Sequence, residues 1–414
     1  IYLPPIHPIG ESNRKGKNNS VTCQPGDYGS PWAIGGKAGG HREIEPLLGS
    51  HDDFSWFVKE AGKRGLKIAL DFALNCSPDH PYVKAHPDWF HIRPDGSIMY
   101  AENPPKKYQD IYPLNFHCED WRNLWDELTD VIRFWCGKGI SVFRVDNPHT
   151  KPVSMWAEII PAIKREFPDT IFLSEAFTRP RMMEALAKAG FSQSYTYFTW
   201  RVAKQELTDY ALELTSSGLK DYFRGNFWPN TPDILAEHLW DAPPAMFKIR
   251  AGLAATLCSN WGIYAGYEYC ENAPMNNGKE EYLDSEKYEL KARDWEAPGI
   301  RPFITELNRA RRENPALQLY ENLRFYDCPN PEILCYGKST PDLANRIVVA
   351  VSLDPYNSQE GMLNLPLEEL GIDPALPYTV TDLLHGDSYT WQGHGNYIAL
   401  SPFGRFMHLF RLDQ

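Results

Sequence analysis

Three short apolar segments that each carry an acidic residue at or next to their C-terminal end constrain the fold of this chain more than any other feature. They span 66–72, 140–146 and 170–175, and their β-branched, leucine and phenylalanine residues are typical of strands. The segments that precede or follow them, most clearly 121–137 and 152–167, carry apolar residues at helical spacing. Strands that alternate with helices indicate a parallel α/β fold, whose functional side chains collect at the carboxyl ends of the strands.

The strand at 140–146 carries two charged residues among apolar neighbours. A two-residue period places Val142, Arg144 and Asp146 on one face of the strand. Burying an arginine and an aspartate costs free energy unless they pair or take part in chemistry. The strand therefore contains either a structural ion pair or a catalytic carboxylate that the arginine orients.

The same alternation continues to about residue 314. Further strands are predicted at 194–198, 226–228 and 262–265, and further helices at 52–65, 181–189, 202–216, 245–258 and 304–313. This pattern predicts a (β/α)8 TIM barrel. The segment 76–117 has no clear period and is rich in proline, histidine and aspartate, so we interpret it as an inserted subdomain. Short alternating runs at 333–336, 346–352, 378–381 and 406–411 predict a C-terminal antiparallel β-domain.

These patterns predict four segments. Residues 1–75 form the first part of the barrel, starting at its second strand, and 76–117 form the inserted subdomain; 118–314 complete the barrel and 315–414 form the C-terminal β-domain. The chain opens on Ile1, Tyr2 and Leu3, with neither an initiator methionine nor a signal peptide. We therefore expect it to be a piece of a longer protein.

The charge balance limits the partners that the chain can have. Forty-two basic and 54 acidic residues give a net charge of −12, which disfavours nucleic acid and anionic membranes. No apolar run approaches the roughly 20 residues of a membrane span. We expect neither nucleic acid nor membrane as a partner.

The eight cysteines are scattered, without paired CxxC spacing. This usage favours free thiols and a cytoplasmic location. The spacing of His80, His86 and His91 fits no common zinc pattern, so we expect no metal and no cofactor.

Glycoside hydrolysis and transfer use a pair of carboxyl groups, and two consecutive strands of this chain each end on a carboxylate. Adjacent strands would place Asp146 beside Glu175, and retaining enzymes use two carboxyl groups about 5 Å apart. One group forms a covalent glycosyl intermediate, while the other donates and later accepts a proton. Asp233, after a later strand, could bind sugar hydroxyls, and Asp71 is expected to be a structural acid.

Four segments of the chain resemble, in order, the motifs of the α-amylase family of glycoside hydrolases and transferases. They are 71–75, 143–146, 172–175 and 230–233. The resemblance implies a barrel with a subdomain inserted after its third strand and a C-terminal β-sandwich. It also implies that Asp146 is the nucleophile, Glu175 the acid/base and Asp233 the transition-state stabiliser. By the same resemblance Arg144 supports the nucleophile.

Within that family, the chain resembles the bacterial members that transfer a maltosyl unit from maltose-1-phosphate to α-1,4-glucan. The resemblance lies in 71–81, 143–152 and 230–233, with Cys76 where amylases usually have histidine. It implies a phosphate pocket formed by Asn103, Lys106, Tyr108 and Asn147. It further implies contacts to the second glucose of the donor from Lys17, Asn75, Lys287 and Tyr288.

The resulting hypothesis is a retaining glycosyltransferase. It would move a maltosyl unit from α-maltose-1-phosphate to the non-reducing end of an α-1,4-glucan, through a covalent β-maltosyl-aspartate, with release of phosphate. The resemblance also implies a possible homodimer. Two alternatives stay open from the sequence: an α-amylase-type hydrolase of α-1,4-glucans, and a catalytically inactive glucan-binding protein.

Overall fold

The computed structural model describes residues 1–104, 106–275 and 279–414. The chain divides into two compact units. The first unit comprises Ile1–Tyr195 and Asp284–Ala292, and the second comprises Thr196–Leu283 and Arg293–Gln414. Among the described residues, no helix combines the length and the apolarity that crossing a bilayer requires.

The first unit is built mainly from alternating strands and helices. In chain order its elements are β1 (Tyr2–Leu3), α1 (His51–Lys63), β2 (Ala69–Phe72), β3 (Asn75–Cys76), α2 (Pro81–Ala85), β4 (Ala101–Asn103), β5 (Lys106–Tyr108), β6 (Tyr112–Pro113), α3 (Trp121–Gly137), β7 (Val142–Asp146), α4 (Val153–Glu166), β8 (Ile171–Glu175), α5 (Pro180–Lys188) and β9 (Gln193–Tyr195).

Five of these strands form a parallel sheet in the order β1-β2-β7-β8-β9. A helix connects each strand to the next one in the sheet, as parallel pairing requires. The carboxyl ends of all five strands therefore meet at one edge, which is the edge where the predicted acidic residues lie.

The sheet carries a buried apolar face and a polar one. Phe143, Val145 and Phe172 belong to the core that also contains the apolar residues of α3 and α4. The bounds of α3 match the prediction, because its buried residues Leu124, Leu128 and Trp135 recur at helical spacing. Since side chains alternate along a strand, Arg144 and Asp146 lie on the face of β7 opposite Phe143 and Val145.

The segment between β2 and α3 contains two small antiparallel pairs. β3 pairs with β6, and β4 pairs with β5 through Ala101 opposite Tyr108 and Asn103 opposite Lys106. A buried cluster that contains Trp32, Ile34, Ala73 and Ile111 lies against Tyr108.

The second unit contains the remaining elements, whose strands at the C-terminal end are antiparallel. They are α6 (Lys204–Ser216), β10 (Gly225–Asn226), α7 (Pro244–Leu257), α8 (Arg301–Glu313), β11 (Leu323–Tyr326), β12 (Ile333–Ser339), β13 (Arg346–Ser352), β14 (Gln359–Asn364), β15 (Pro377–Asp382), β16 (Ser388–Gln392), β17 (Gly395–Leu400) and β18 (Met407–Asp413). Six strands form one sheet in the order β11-β12-β13-β18-β15-β16, and β14 pairs with β17. The predicted C-terminal antiparallel region is therefore confirmed.

Two of the predicted strands differ from the structure. No strand forms over the predicted range 262–265. The segment makes only an isolated parallel bridge, between Phe227 and Trp261, and the Gly262 N–H donates to the Phe227 carbonyl at 3.0 Å. Pairing stops there, and the Tyr264 N–H donates to the side-chain Oδ1 of Asn230 at 3.0 Å. The strand predicted at 194–198 ends earlier, at Tyr195. There the N–H of Tyr197 donates to the hydroxyl of Tyr210 at 2.9 Å, and a short 3-10 turn follows.

Candidate active site

A single buried guanidinium joins the ends of three strands in the first unit. Arg144 is 1% exposed, and its Nη1 donates to Asp71 Oδ2 and to Asp146 Oδ1, each at 2.8 Å. Its Nη2 lies 3.2 Å from Glu175 Oε1. The arginine and aspartate of β7 are thus an ion pair, and they are also part of a larger carboxylate cluster.

Strand register explains why these side chains meet. Asp71 in β2 pairs with Arg144 in β7, and Asp146 pairs with Glu175 in β8. Paired residues of parallel strands share a face, and so do residues two apart along one strand. Asp71, Arg144, Asp146 and Glu175 therefore project from one face of the sheet near its carboxyl edge.

The residue after Asp146 turns the chain sharply. Asn147 has a φ of 42°, in the left-handed region that asparagine adopts more readily than most residues. Its main-chain N–H donates to Glu175 Oε2 at 3.0 Å, and its side-chain Nδ2 lies 3.4 Å from Asp146 Oδ2. Asn147 is the predicted phosphate residue that the structure places directly beside the carboxylates.

A lysine that the sequence analysis did not single out holds this turn. Lys151 is 8% exposed, and its Nζ donates to the main-chain oxygens of Asp146 and Asn147, each at 3.1 Å. Burial lowers the pKa of Lys151, while Asp146 and Glu175 oppose that change. Its proximity to Asp146 along the chain was visible, but its partners are main-chain atoms that the sequence does not reveal.

Burial shifts the pKa values of the charged groups in this cluster. It raises the pKa of Asp71 to about 7, although Arg144 acts in the opposite direction. The Tyr2 hydroxyl also donates to Asp71 Oδ2, at 2.6 Å. Burial alone would lower the pKa of Arg144, but its carboxylate neighbours, Asp71 first, raise it well above its usual value. The guanidinium therefore stays charged, while Asp71 can take up a proton near neutral pH.

Asp71 should make stability depend on pH in a definite direction. Its pKa in the folded protein lies above the ordinary value of 3.8 for an aspartate, so between about pH 4 and pH 7 the folded state holds a proton that the unfolded state has lost. This contribution to stability is complete below pH 4 and is lost as the pH rises through 7. We expect the melting temperature of the wild type, relative to Asp71→Asn, to fall over this interval and to level off above it.

Thermal melts of both proteins between pH 5 and pH 8 measure this difference. Asp126→Asn, at an exposed position in α3, is the matched control and should give a pH-independent difference. A difference between wild type and Asp71→Asn that stays constant or grows with pH would contradict the expectation.

Three of the predicted phosphate residues share one face of the β4–β5 hairpin. Asn103 and Lys106 are register partners, and Tyr108 lies two residues from Lys106. Directly opposed residues of an antiparallel pair lie on the same face. Lys107 and its partner Glu102 lie on the other face, where their side chains approach to 3.9 Å.

Three of the four residues predicted to bind the second glucose lie in or beside the segment 284–292: Lys17, Lys287 and Tyr288. Lys287 Nζ lies 5.6 Å from the centre of the Tyr288 ring and 5.9 Å from that of Trp32. Lys17 is exposed and lies 3.7 Å from Glu289. Asn18 and Asp284 exchange two hydrogen bonds, at 2.8 and 3.0 Å, which fix the loop of Lys17 beside this segment.

Trp32 connects the two predicted binding regions, since Tyr108 packs against its cluster. The sequence analysis did not select Trp32. Lys15, two residues before Lys17 in the chain, is buried and donates to Gln109 Oε1 at 2.6 Å, whereas Lys17 lies beside Glu289. The structure therefore assigns different neighbours to these two nearby lysines. Asn75 lies in β3 opposite Pro113 and is half-buried.

Asp233 belongs to the second unit, where a tight turn presents it. Thr231 and Ile234 form an antiparallel bridge, and the Asp233 N–H donates to Thr231 Oγ1 at 3.2 Å. Asn230 is buried and donates to the Tyr282 hydroxyl at 2.7 Å. The turn is thereby attached to the surrounding backbone, and Asp233 itself is half-buried.

Within the described part of the chain, two groups of side chains have the residue types of metal ligands within 4.8 Å of one another: His41, Cys76 and His80, and Asp382, His385 and His408. In the first group the N–H of Tyr82 donates to His80 Nδ1, so His80 Nε2 carries the proton and donates to His41 Nδ1 at 3.0 Å. His41 Nε2 then donates to the Ala73 carbonyl. Because the imidazole nitrogens are already engaged, hydrogen bonding accounts for this group.

The second group is also hydrogen-bonded. Nδ1 of His385 and of His408 lie 2.9 and 2.8 Å from the same oxygen, Asp382 Oδ2. Asp382 Oδ1 accepts from the Leu384 N–H at 3.1 Å. Two donors on one buried carboxylate oxygen are sufficient to explain why these side chains meet.

Curated relatives match the chain over its whole length. It is 54% identical over 416 residues to the α-1,4-glucan:maltose-1-phosphate maltosyltransferase of Methylacidiphilum infernorum, covering 100% of this chain and 62% of that protein. It is 53% identical to the enzyme of the same name from Myxococcus xanthus, covering 97% of this chain and 60% of that protein. The chain thus spans about three fifths of the length of these relatives. Residues 325–412 match the family described as GLGE, C-terminal.

Solved structures with a similar fold include α-amylases. One is from Geobacillus thermoleovorans, complexed with acarbose, with 18% identity, a TM-score of 0.74 and coverage of 100% of this chain and 88% of that protein. Another is a maltogenic α-amylase from Thermotoga neapolitana, with 18% identity, a TM-score of 0.74 and coverage of 99% of this chain and 89% of that protein. The chain has the fold of the α-amylases, and over its whole length it is similar in sequence to proteins named α-1,4-glucan:maltose-1-phosphate maltosyltransferase.

Proposed function

We propose that the protein transfers a maltosyl unit from α-maltose-1-phosphate to the non-reducing end of an α-1,4-glucan and retains the anomeric configuration. The observation that carries this proposal is the pairing of Asp146 and Glu175 at the ends of adjacent strands, with both carboxylates held by Arg144. Two carboxyl groups side by side suit a double displacement.

In the first step Asp146 attacks the anomeric carbon of the donor. The bond between that carbon and the phosphate oxygen breaks, its electron pair stays on that oxygen, and the oxygen takes the proton of Glu175 as phosphate leaves. A β-maltosyl ester then links the sugar to Asp146. In the second step the 4-hydroxyl of the acceptor attacks the anomeric carbon, the bond from that carbon to Asp146 breaks, and the hydroxyl gives its proton to Glu175, which restores both carboxyl groups to their starting states. Arg144 orients Asp146 through the hydrogen bond to its Oδ1, and Asp233 stabilises the transition state by holding sugar hydroxyls.

The β4–β5 hairpin supplies the phosphate contacts in this proposal. Asn103, Lys106 and Tyr108 offer an amide, a cation and a hydroxyl on one face, which is the equipment that a phosphate monoester needs. Asn147 supplies a further amide next to the nucleophile. Lys17, Asn75, Lys287 and Tyr288 hold the second glucose. The position of Lys287 beside Tyr288 and Trp32, and that of Lys17 beside Glu289, support this role.

We extend the proposal to the domain organisation, the cellular location and the assembly of the protein. Residues 76–117 act as a subdomain inserted after the third strand of a (β/α)8 barrel, and a β-sandwich begins near residue 315. The protein works without a cofactor in the cytoplasm, and it can form a homodimer.

One assay separates this function from hydrolysis. The protein is incubated with glycogen and maltose-1-phosphate, and inorganic phosphate and chain growth are measured together. Phosphate release that matches the maltosyl units added supports the transferase. Reducing sugar that appears from glycogen without maltose-1-phosphate would instead indicate an α-amylase-type hydrolase.

The two lysines of the hairpin test the phosphate pocket. Lys106→Met should raise KM for maltose-1-phosphate about 10- to 100-fold, because a charge-assisted hydrogen bond contributes about 1.5–3 kcal/mol. Lys107→Met is the matched control, since Lys107 is adjacent but lies on the opposite face with Glu102. Steady-state kinetics of phosphate release give both values. Equal effects of the two substitutions would rule out a specific role for Lys106.

A further inference from the structure

The turn after Asp146 is held in an unfavourable conformation by one buried cation. Asn147 has a positive φ, and the main-chain oxygens on both sides of its N–Cα bond, those of Asp146 and Asn147, accept from the same Lys151 Nζ. A residue other than glycine keeps a positive φ when several contacts with its surroundings hold it in that conformation. The two bonds from Lys151 fix the peptide units before and after the Asn147 Cα.

The orientation of the first of these peptide units matters to Glu175. When the Asp146 oxygen points at Lys151, the N–H of the same peptide unit, which belongs to Asn147, points the opposite way. That N–H donates to Glu175 Oε2 at 3.0 Å. Rotation of this peptide unit would remove both hydrogen bonds together, because a planar peptide bond couples its oxygen to its N–H.

We propose that Lys151 is a positioning residue for the acid/base step: it holds the Asn147 peptide so that its N–H orients Glu175. This inference rests on the proposed role of Glu175 as acid/base. Lys151 does not contact the reacting atoms and acts through the main chain. A sequence search for catalytic side chains would overlook such a residue, because its contribution depends on the conformation of the turn.

Glu175 is surrounded by other ionisable groups, and a substitution of Lys151 leaves these residues in place. They are Asp71 on β2, Arg144 and Asp146 on β7, and Tyr195 on β9. His149 lies in the turn itself, and Lys151, after burial, contributes to holding its pKa below the ordinary value. Removal of Lys151 takes away an N–H donor and a nearby positive charge, and both changes disfavour the ionised carboxylate. In a plot of kcat/KM against pH, the limb that follows the titration of Glu175 should therefore move to higher pH.

The first experiment is the pH profile of phosphate release for Lys151→Met. We expect kcat to fall about 100-fold, the cost of a misplaced catalytic group, and the limb to move up by about one pH unit. Lys164→Met is the matched control, because Lys164 also donates to two oxygens, those of Gly190 and Ser192, but on the far end of α4. A folded Lys151→Met protein with an unmoved limb would overturn the proposal.

A second experiment separates the conformation of the turn from simple loss of charge. Glycine adopts a positive φ without strain, so Asn147→Gly should keep the turn when the lysine is absent. If Lys151 acts through Asn147, Lys151→Met should shift the limb less in the Asn147→Gly background than in the wild type. An equal shift in both backgrounds would refute the positioning mechanism. If Lys151→Met fails to fold, Lys151→Gln replaces it, since glutamine keeps a donor without the charge.

The outcome can be distinguished from failure of the proposed function. If the wild type hydrolyses glycogen without maltose-1-phosphate, maltosyl transfer is wrong, but Glu175 would serve as acid/base in hydrolysis as well. The same pH profiles are then recorded on release of reducing sugar. The inference about Lys151 fails only if the limb does not move in that assay either.

Discussion

Asp146→Asn should abolish turnover, with kcat for phosphate release reduced roughly 10⁴- to 10⁶-fold. Asparagine has nearly the same shape, and its Oδ1 can still accept from Arg144, which donates to Asp146 at 2.8 Å in the wild type. The fold should therefore survive, while the nucleophile is lost. Release of phosphate from maltose-1-phosphate with glycogen present gives the rate, and thermal melting establishes that the variant is folded.

Exchange of labelled phosphate into maltose-1-phosphate without an acceptor tests the covalent step directly. The wild type should catalyse this exchange, because the maltosyl ester on Asp146 can be returned to phosphate, and Asp146→Asn should not. Asp169→Asn, an exposed substitution just before β8, is the control and should behave as the wild type. Phosphate release by Asp146→Asn at close to the normal rate would remove Asp146 from the role of nucleophile.

Strand and helix positions follow from the sequence where one face of an element is buried. The helix over Trp121–Gly137 and the strand ending at Asp146 show this, since apolar spacing alone identifies them. The strand predicted at 262–265 is not formed, for a different reason. Its apolar and aromatic residues resemble a strand, but Asn230, far away in the chain, satisfies the backbone of Tyr264 instead. Such a replacement depends on tertiary structure and has no local signal.

The candidate site likewise combines features that follow from the sequence with features that depend on tertiary structure. Adjacency of Asp146 and Glu175 follows from two consecutive strands that both end on an acid, so sequence reasoning could reach it. The bond from Tyr2 to Asp71 and the bonds from Lys151 to main-chain oxygens could not be reached, because nothing in these residue types indicates their partners. The shared face of Asn103 and Lys106 likewise becomes visible only when the hairpin register is known.

The largest loss of stability is expected from Arg144→Met. Arg144 is fully buried, and its guanidinium is the cation that contacts Asp71, Asp146 and Glu175 together. Removal of one partner from a buried ion pair costs about 3–5 kcal/mol, because the remaining charge stays buried without compensation. The urea midpoint at pH 7.5 should therefore fall markedly. At pH 5 the fall should be smaller, because the stranded carboxylates can take up protons there.

Arg133→Met is the control that separates this effect from loss of any arginine with several partners. Arg133 also contacts two carboxylates, Glu166 and Asp130, but at the surface, where solvent screens the charges and such pairs contribute little. If Arg144→Met lowered the midpoint no more than Arg133→Met, the cluster would not depend on its cation. Asp71→Asn in the Arg144→Met background should restore part of the loss, because it removes one of the three uncompensated carboxylates. Recovery of stability without recovery of phosphate release would separate the structural carboxylate from the two that we assign to chemistry.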